Sequence, residues 1–285
     1  MLRPFRIVNV FGLPGQPFSG NPLCVVDDAE GLSTETMQAI ARQTNLSEST
    51  FVTAGQDGTD ATVRIFTPSV ELGFAGHPTL GTASVVGERL GTTDVVLGMP
   101  VGPIPVHGEG ATWTLTANPA RVRDAQLVRA DGARMLGLAD VDVVADPRWV
   151  DSGLEQLFVQ LSGAAAVERA VPDAALVRQW ATSGAGEGLA YVWAWTGAGE
   201  VTARLFFSVG SALVEDPATG SAAANLGGLL AHEGRRGVRI GIDQGRAVDR
   251  PSRLVIDVDD TGSVRVSGLV YQIGQGTLAL GEDGR

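Results

Sequence analysis

The sequence repeats itself at a spacing of 140 residues. Arg64-Ile65-Phe66 returns as Arg204-Leu205-Phe206, Phe51-Val52 as Tyr191-Val192, and Thr79 as Thr219. The small-residue segment Gly76-His77-Pro78-Thr79-Leu80-Gly81-Thr82-Ala83 falls on Asp216-Pro217-Ala218-Thr219-Gly220-Ser221-Ala222-Ala223. The helical run ahead of Phe51 falls on Pro172 to Thr182. A duplicated chain of 285 residues folds as two similar bodies of roughly 120 to 150 residues each, a normal domain size. One residue breaks the pattern: Glu48, in Leu46-Ser47-Glu48-Ser49-Thr50-Phe51, falls on Gly188, so this carboxylate belongs to one copy alone.

Local patterning fills in each copy. Phe5 to Phe11 alternates as a strand, a Gly/Pro-rich loop covers Gly12 to Gly20, and Asn21 to Val26 reads as a second strand. Ser33 caps a helix to about Gln43, ended by Asn45, so the Glu48 segment reads as a loop or turn entering a strand at Phe51-Val52. Ala61 to Phe66 is a strand halted before Pro68. Pro78 to Leu90 is small and apolar, a helix that strands can approach closely. Short strands follow at Asp94 to Leu97, Ile104 to Val106 and Ala111 to Thr116, then a polar connection, Arg121 to Pro147, with one short helix near Arg134. The second copy repeats the order: a strand at Gln156 to Leu161, a helix at Asp173 to Thr182, strands at Ala190 to Trp195 and Val201 to Phe207, and a small-residue helix at Gly220 to His232. Strands at Leu254 to Val258, Ser263 to Ile273 and Gly276 to Leu280 close the chain, the last returning to the first half. The fold class is α+β with two pseudo-symmetric domains, residues 1–118 with about 274–285, and residues 119–273.

Composition removes several kinds of chemistry. Net charge is −11, and the arginines are scattered, which disfavours nucleic acid and anionic membranes as partners. All 21 basic residues are Arg. Without Lys there is no Schiff-base lysine for pyridoxal phosphate and no Walker-type phosphate loop. Cys24 is the only cysteine and sits in an apolar run, so neither an intrachain disulfide nor a thiolate metal cluster can form. His77, His107 and His232 lack metal-ligand spacing, and no Gly-x-Gly-x-x-Gly pattern supports a dinucleotide. No run approaches a membrane span, and Met1 to Arg6 carries no secretory pattern, so the expectation is a cytoplasmic protein with no metal and no cofactor.

The residues left to carry chemistry cluster at the matched segments. Gly76-His77-Pro78-Thr79 and Ala218-Thr219-Gly220-Ser221-Ala222 each open a helix, where unpaired N–H groups favour an anion such as a carboxylate. Glu48 is either a surface-loop glutamate or, if a cleft closes over it, a general acid/base. His77, between Gly76 and Pro78, suits proton relay or substrate orientation. Asp216 is either a carboxylate at a helix start or a group that holds His77 or a substrate ammonium. Ser221, His77 and Asp216 have the residue types of a serine hydrolase, but Gly220-Ser221-Ala222 is no nucleophile elbow, and Asp216 lies only five residues from Ser221.

At these residues the chain resembles the PhzF family of phenazine-biosynthesis-like proteins, relatives of diaminopimelate epimerase. The resemblance rests on Pro17-Phe18-Ser19-Gly20-Asn21-Pro22, Ser47-Glu48-Ser49-Thr50-Phe51, Phe74-Ala75-Gly76-His77-Pro78-Thr79-Leu80-Gly81 and Glu215-Asp216-Pro217-Ala218-Thr219-Gly220-Ser221-Ala222, continued by Gln244-Gly245 and Arg250-Pro251-Ser252. It implies two domains, each a mixed sheet around a central helix, an active site between them, and a homodimer. It implies isomerisation of trans-2,3-dihydro-3-hydroxyanthranilate, or a similar small molecule, without metal or cofactor. The family's catalytic glutamate, histidine and aspartate carry onto Glu48, His77 and Asp216, and its loop serine onto Ser221. Ser47, Gly76 and Gly220 join Ser221 as substrate-binding candidates. Diaminopimelate epimerase uses two thiols; this chain has only Cys24, outside those loops. Epimerisation at an α-carbon, with Asp216 or His77 opposite Glu48, and a non-catalytic metabolite-binding role are the alternatives.

Overall fold

In the computed structural model, which describes residues 1–184 and 186–281, the chain forms two units: Met1–Thr116 with Ser267–Arg285, and Ala117–Val266. Residues 282–285 of the returning segment expected at the C-terminus lie outside the described residues.

The first unit contains β1 (Leu2–Gly12), β2 (Asn21–Val26), α1 (Thr34–Thr44), β3 (Glu48–Ala54), β4 (Ala61–Phe66), the short β5 (Glu71–Leu72), α2 (Gly76–Leu90), β6 (Asp94–Met99), β7 (Gly102–Glu109) and β8 (Thr112–Thr116). Strand β1 runs antiparallel to β2, β2 parallel to β3, β3 antiparallel to β4, and β4 parallel to β6. The meander β6–β7–β8 follows, and the chain's last strand, Val264–Ala279, pairs with both β8 and β1. Among the described residues the ring is therefore closed, with β5 as a short arm on β4. Helix α2 is buried along nearly its whole length, from Gly76 to Gly87 apart from Ser84. Small side chains make this possible: a Cβ on Gly81 would stand 2.7 Å from Leu23 and 2.9 Å from Val10. Helix α1 lies on the outer face, where Met37, Ile40 and Ala41 pack with Phe51, Phe66, Cys24 and Val26.

The second unit contains β9 (Arg121–Asp124), α3 (Arg129–Leu136), β10 (Arg148–Asp151), β11 (Glu155–Gln160), α4 (Ala164–Arg169), α5 (Ala174–Trp180), β12 (Leu189–Gly197), β13 (Glu200–Val209), β14 (Ala212–Asp216), α6 (Gly220–His232), β15 (Val238–Gln244) and β16 (Ser252–Val258). Its strands run in the order β9-β10-β11-β12-β13-β15-β16, with β14 as a hairpin arm on β13. The parallel pairs β11–β12 and β13–β15 reproduce β2–β3 and β4–β6. Helix α6 is the counterpart of α2, and a Cβ on Gly227 would come 2.5 Å from Val264.

The registers correct the constant spacing of the repeat. Arg64 and Arg204 are true counterparts: each pairs with a glutamate, Glu71 at 2.6 Å and Glu215 at 2.7 Å, and each lies over a phenylalanine, Phe66 or Phe206. Opposite them, however, Thr50 pairs Ile65 whereas Tyr191 pairs Leu205, so β3 and β12 are offset by 141. A one-residue change reverses strand faces, which makes Leu189, and not Gly188, the counterpart of Glu48. The hairpin that follows is longer in the second unit, with pairs Phe207–Val214, Ser208–Leu213 and Val209–Ala212 beyond Phe206–Glu215. From there the offset is 144: Ala75 and Thr219 are the two N-caps, Gly76 matches Gly220, and His77 matches Ser221.

Other boundaries also shift. Glu48 is not in a loop but is the first residue of β3, held by parallel pairing with Leu23. Helix α2 starts at Gly76, one residue ahead of His77. The final strand is continuous through Gly274 and Gly276 because β1 pairs along it, and Gly276 leaves room for the Phe5 ring. Strands β9, β10 and β14 escape sequence patterning because charged residues break their apolar runs, as in Arg-Val-Arg-Asp of β9.

Candidate active site

Side chains alternate across β3. Phe51 faces α1, whereas Thr50 faces the central helix and bonds Thr82 at 2.8 Å. Glu48 shares the inner face with Thr50. It stands at the strand's first residue, level with the first turn of α2, and His77 is the second residue of that helix. The fold thereby brings the two together: His77 Nε2 lies 3.4 Å from Glu48 Oε2, with side-chain exposures of 5% and 17%.

Burial holds His77 neutral, lowering its pKa from 6.5 to about 3 despite an opposing hydrogen bond to the backbone of Pro22. Proline has no N–H, so its carbonyl accepts and the imidazole donates. Among the described residues Nε2 has no hydrogen-bond partner, which assigns that donation to Nδ1. A neutral ring with its proton on Nδ1 turns a lone pair toward Glu48. Ser47 immediately precedes Glu48 and is half-buried, and Gly76 is buried at the helix start.

In the second unit, Asp216 ends β14 and lies just ahead of α6. Gln244, almost wholly buried, pins this turn: its Nε2 donates to the Asp216 carbonyl at 2.9 Å and to Thr219 Oγ1 at 3.0 Å. Thr219 Oγ1 in turn donates to Asp216 Oδ2 at 2.6 Å. Gly220 is buried as the first residue of α6, and Ser221, next along, takes a hydrogen bond from Gln156 Nε2 at 3.1 Å. The outer helices α1 and α5 are capped by Ser33 and Asp173, but neither α2 nor α6 has a side-chain cap. Their first-turn N–H groups stay available to an anion.

Sequence reasoning missed Gln156 and Asn225, and it met Gln244 only as part of a motif. A signal existed for Asn225, a lone amide inside Ala-Ala-Ala-Asn-Leu-Gly-Gly-Leu-Leu, yet nothing in the sequence names its partners. Cys24 is buried and its thiol is pushed up to about 12, which removes it from nucleophilic chemistry at neutral pH. Among the described residues no cluster of His, Cys, Asp and Glu is arranged to hold a metal ion, and no helix is long and apolar enough to cross a membrane. A cavity of about 350 Å³ opens at the far end of α2, beside Gly87, Thr92 and Trp113. Its one titratable lining residue, Glu88, is engaged by Arg6 at 2.8 Å, so it lacks a proton-transfer pair.

Comparison with known proteins supplies the family and the fold. The family model described as phenazine biosynthesis-like protein matches residues 8–275. A Pasteurella multocida protein described as an uncharacterized isomerase is 37% identical, over 98% of this chain and 95% of its own. The trans-2,3-dihydro-3-hydroxyanthranilate isomerase of Pseudomonas chlororaphis is 34% identical, over 97% of this chain and 99% of its own. The crystal structure of a Bacillus anthracis phenazine biosynthesis protein of the PhzF family superposes with a TM-score of 0.84 at 20% identity, covering 98% of this chain and all of that one, and so shares the fold.

Proposed function

Because the chain belongs to the phenazine biosynthesis-like protein family, we propose that Glu48 moves a proton between two carbons of a small carboxylate- and amino-bearing substrate, of the dihydro-3-hydroxyanthranilate class. The chain is an isomerase, as its relatives are named. The observation that carries the Glu48 reading is the 3.4 Å approach of its carboxylate to a buried, neutral imidazole.

In this reaction the Glu48 carboxylate accepts a proton from a C–H bond. The electron pair left behind spreads through the substrate's conjugated system, and Glu48, its proton exchanged with solvent, returns one at another carbon. Nothing is oxidised or reduced, so one acid/base group suffices and no cofactor is required. The His77 lone pair can hold the proton of Glu48 between the two half-reactions. In the second unit, the Asp216 carboxyl suits a substrate ammonium, and the start of α6 with Ser221 suits a carboxylate.

The test uses trans-2,3-dihydro-3-hydroxyanthranilate in D₂O. We expect turnover with solvent deuterium entering at the carbon that gains hydrogen, and a fall in kcat of roughly 10²- to 10⁴-fold in Glu48→Gln. Undiminished turnover by Glu48→Gln rules out the glutamate mechanism.

A further inference from the structure

Behind Ser221 lies a chain of buried amides whose polarity can be worked out from its far end. The backbone N–H of Ser152 donates to Asn225 Oδ1 at 2.7 Å, and a backbone N–H can only donate. Ser152 Oγ bonds the same oxygen at 2.7 Å. The other end of the Asn225 amide meets the carbonyls of Val150 at 3.0 Å and Leu154 at 2.9 Å, which can only accept. Two independent sets of backbone groups therefore fix the orientation of Asn225. Its Nδ2 also faces Gln156 Oε1 at 2.9 Å, and a flipped Gln156 would set two NH₂ groups against each other. Gln156 accordingly turns its own Nε2 to Ser221 Oγ, at 3.1 Å. Asn225 and Gln156 are both fully buried, so no solvent competes for these roles.

The consequence falls on the Ser221 hydroxyl. With Gln156 donating to its oxygen, the hydroxyl proton is directed elsewhere, and among the described residues it has no protein acceptor. We propose that Gln156 is a positioning residue which, set by Asn225 and Ser152, reserves the Ser221 hydroxyl as a hydrogen-bond donor to a carboxylate oxygen of the ligand. This rests on the substrate reading above and sharpens it, because Ser221 then acts as a fixed donor beside the first-turn N–H groups of α6 and never as a base. Register places Ser221 where the first unit has His77, whose Nε2 offers a lone pair. The two central helices thus present opposite hydrogen-bonding characters at one position.

Two measurements decide the matter. Neutron diffraction from a deuterated crystal of the ligand-free protein reads the polarity directly. We expect both Gln156 amide deuterons on the nitrogen facing Ser221, with the Ser221 deuteron turned away from it. A Ser221 deuteron pointing at Gln156 overturns the proposal. The second is a double-mutant cycle on trans-2,3-dihydro-3-hydroxyanthranilate turnover. Gln156→Leu should raise KM roughly 5- to 20-fold with kcat within about twofold, the loss of one oriented hydrogen bond. The same change made in Ser221→Ala should add no more than about twofold, since Gln156 acts through that hydroxyl. Additive losses would make Gln156 a purely structural residue and defeat the proposal. If the wild-type protein leaves this compound unchanged, it is the substrate reading that fails, and the neutron result still decides the wiring. That result also stands if Gln156→Leu does not fold.

Discussion

The two units share a strand plan but are loaded differently along the inner face of one strand and the first turns of one helix. In the first unit that strand carries Glu48, opposite Leu23, and the helix offers His77. In the second it carries Leu189, the partner strand carries Gln156, and the helix offers Ser221. At these matched positions the first unit carries a carboxyl and an imidazole, whereas the second carries an aliphatic side chain, an amide and a hydroxyl.

The difference is sharpest in activity. Glu48→Gln should cost roughly 10²- to 10⁴-fold in kcat, whereas Leu189→Ala, which removes no proton carrier, should stay within about tenfold of wild type. Equal losses at the two positions would break the contrast. A second contrast concerns stability. Asn225 corresponds to Gly81 in the 144-residue register. Asn225→Leu strands the Ser152 N–H and two carbonyls without partners. At about 1–3 kcal/mol for each buried group left unsatisfied, the variant should lose at least about 3 kcal/mol in urea unfolding. Gly81→Ala forces a methyl against Leu23 and Val10 but gains helix propensity, so its net cost should be smaller, about 1–2 kcal/mol.

Much of this plan was legible in the sequence, and the illegible part has a physical cause. The small-residue helices were readable because only residues such as Gly81 and Gly227 can be enclosed so closely by strands. Glu48 and His77 were readable as chemistry-bearing types in the motif segments, although His77, set between Gly76 and Pro78, lies as deep as the rest of its helix. The true register was not, because the β13–β14 hairpin is longer than β4–β5, and a longer hairpin leaves the flanking motifs looking alike while moving every later counterpart by four. The amide chain was hidden for another reason. Gln156 and Asn225 lie 69 residues apart and meet only once β11 and α6 have packed.

Acid separates the units next. The His77 pKa is about 3 in the folded protein against 6.5 as its ordinary value. Between those values the unfolded chain binds a proton that the folded chain does not, so stability rises with pH across this window. His77 contributes its full share above pH 6.5, and the share is lost as pH falls toward 3. Urea midpoints measured from pH 7.5 down to 4.5 should therefore fall less in His77→Asn than in wild type. The second unit holds only Ser221 at this position and adds no such dependence. Parallel pH profiles for the two proteins would show that burial does not hold His77 neutral.

The smallest contrast is also the most discriminating, because it sets one strand position against itself. Thr50 and Tyr191 are register counterparts, and both side chains are fully buried. Thr50 Oγ1 bonds Thr82 across to the central helix at 2.8 Å. Among the described residues the Tyr191 hydroxyl has no hydrogen-bond partner, and burial raises its pKa far above the ordinary phenol value. Thr50→Val keeps the volume but leaves the Thr82 hydroxyl unpaired, so it should cost about 1–2 kcal/mol. Tyr191→Phe removes a hydroxyl that is desolvated without compensation, so it should be neutral or stabilising by up to about 1 kcal/mol. The expected outcome in the two urea titrations is a loss at Thr50 and none at Tyr191. A loss at both positions would mean that Tyr191 has a bonded hydroxyl in solution and that the inner faces of the two units are more alike than their side chains suggest.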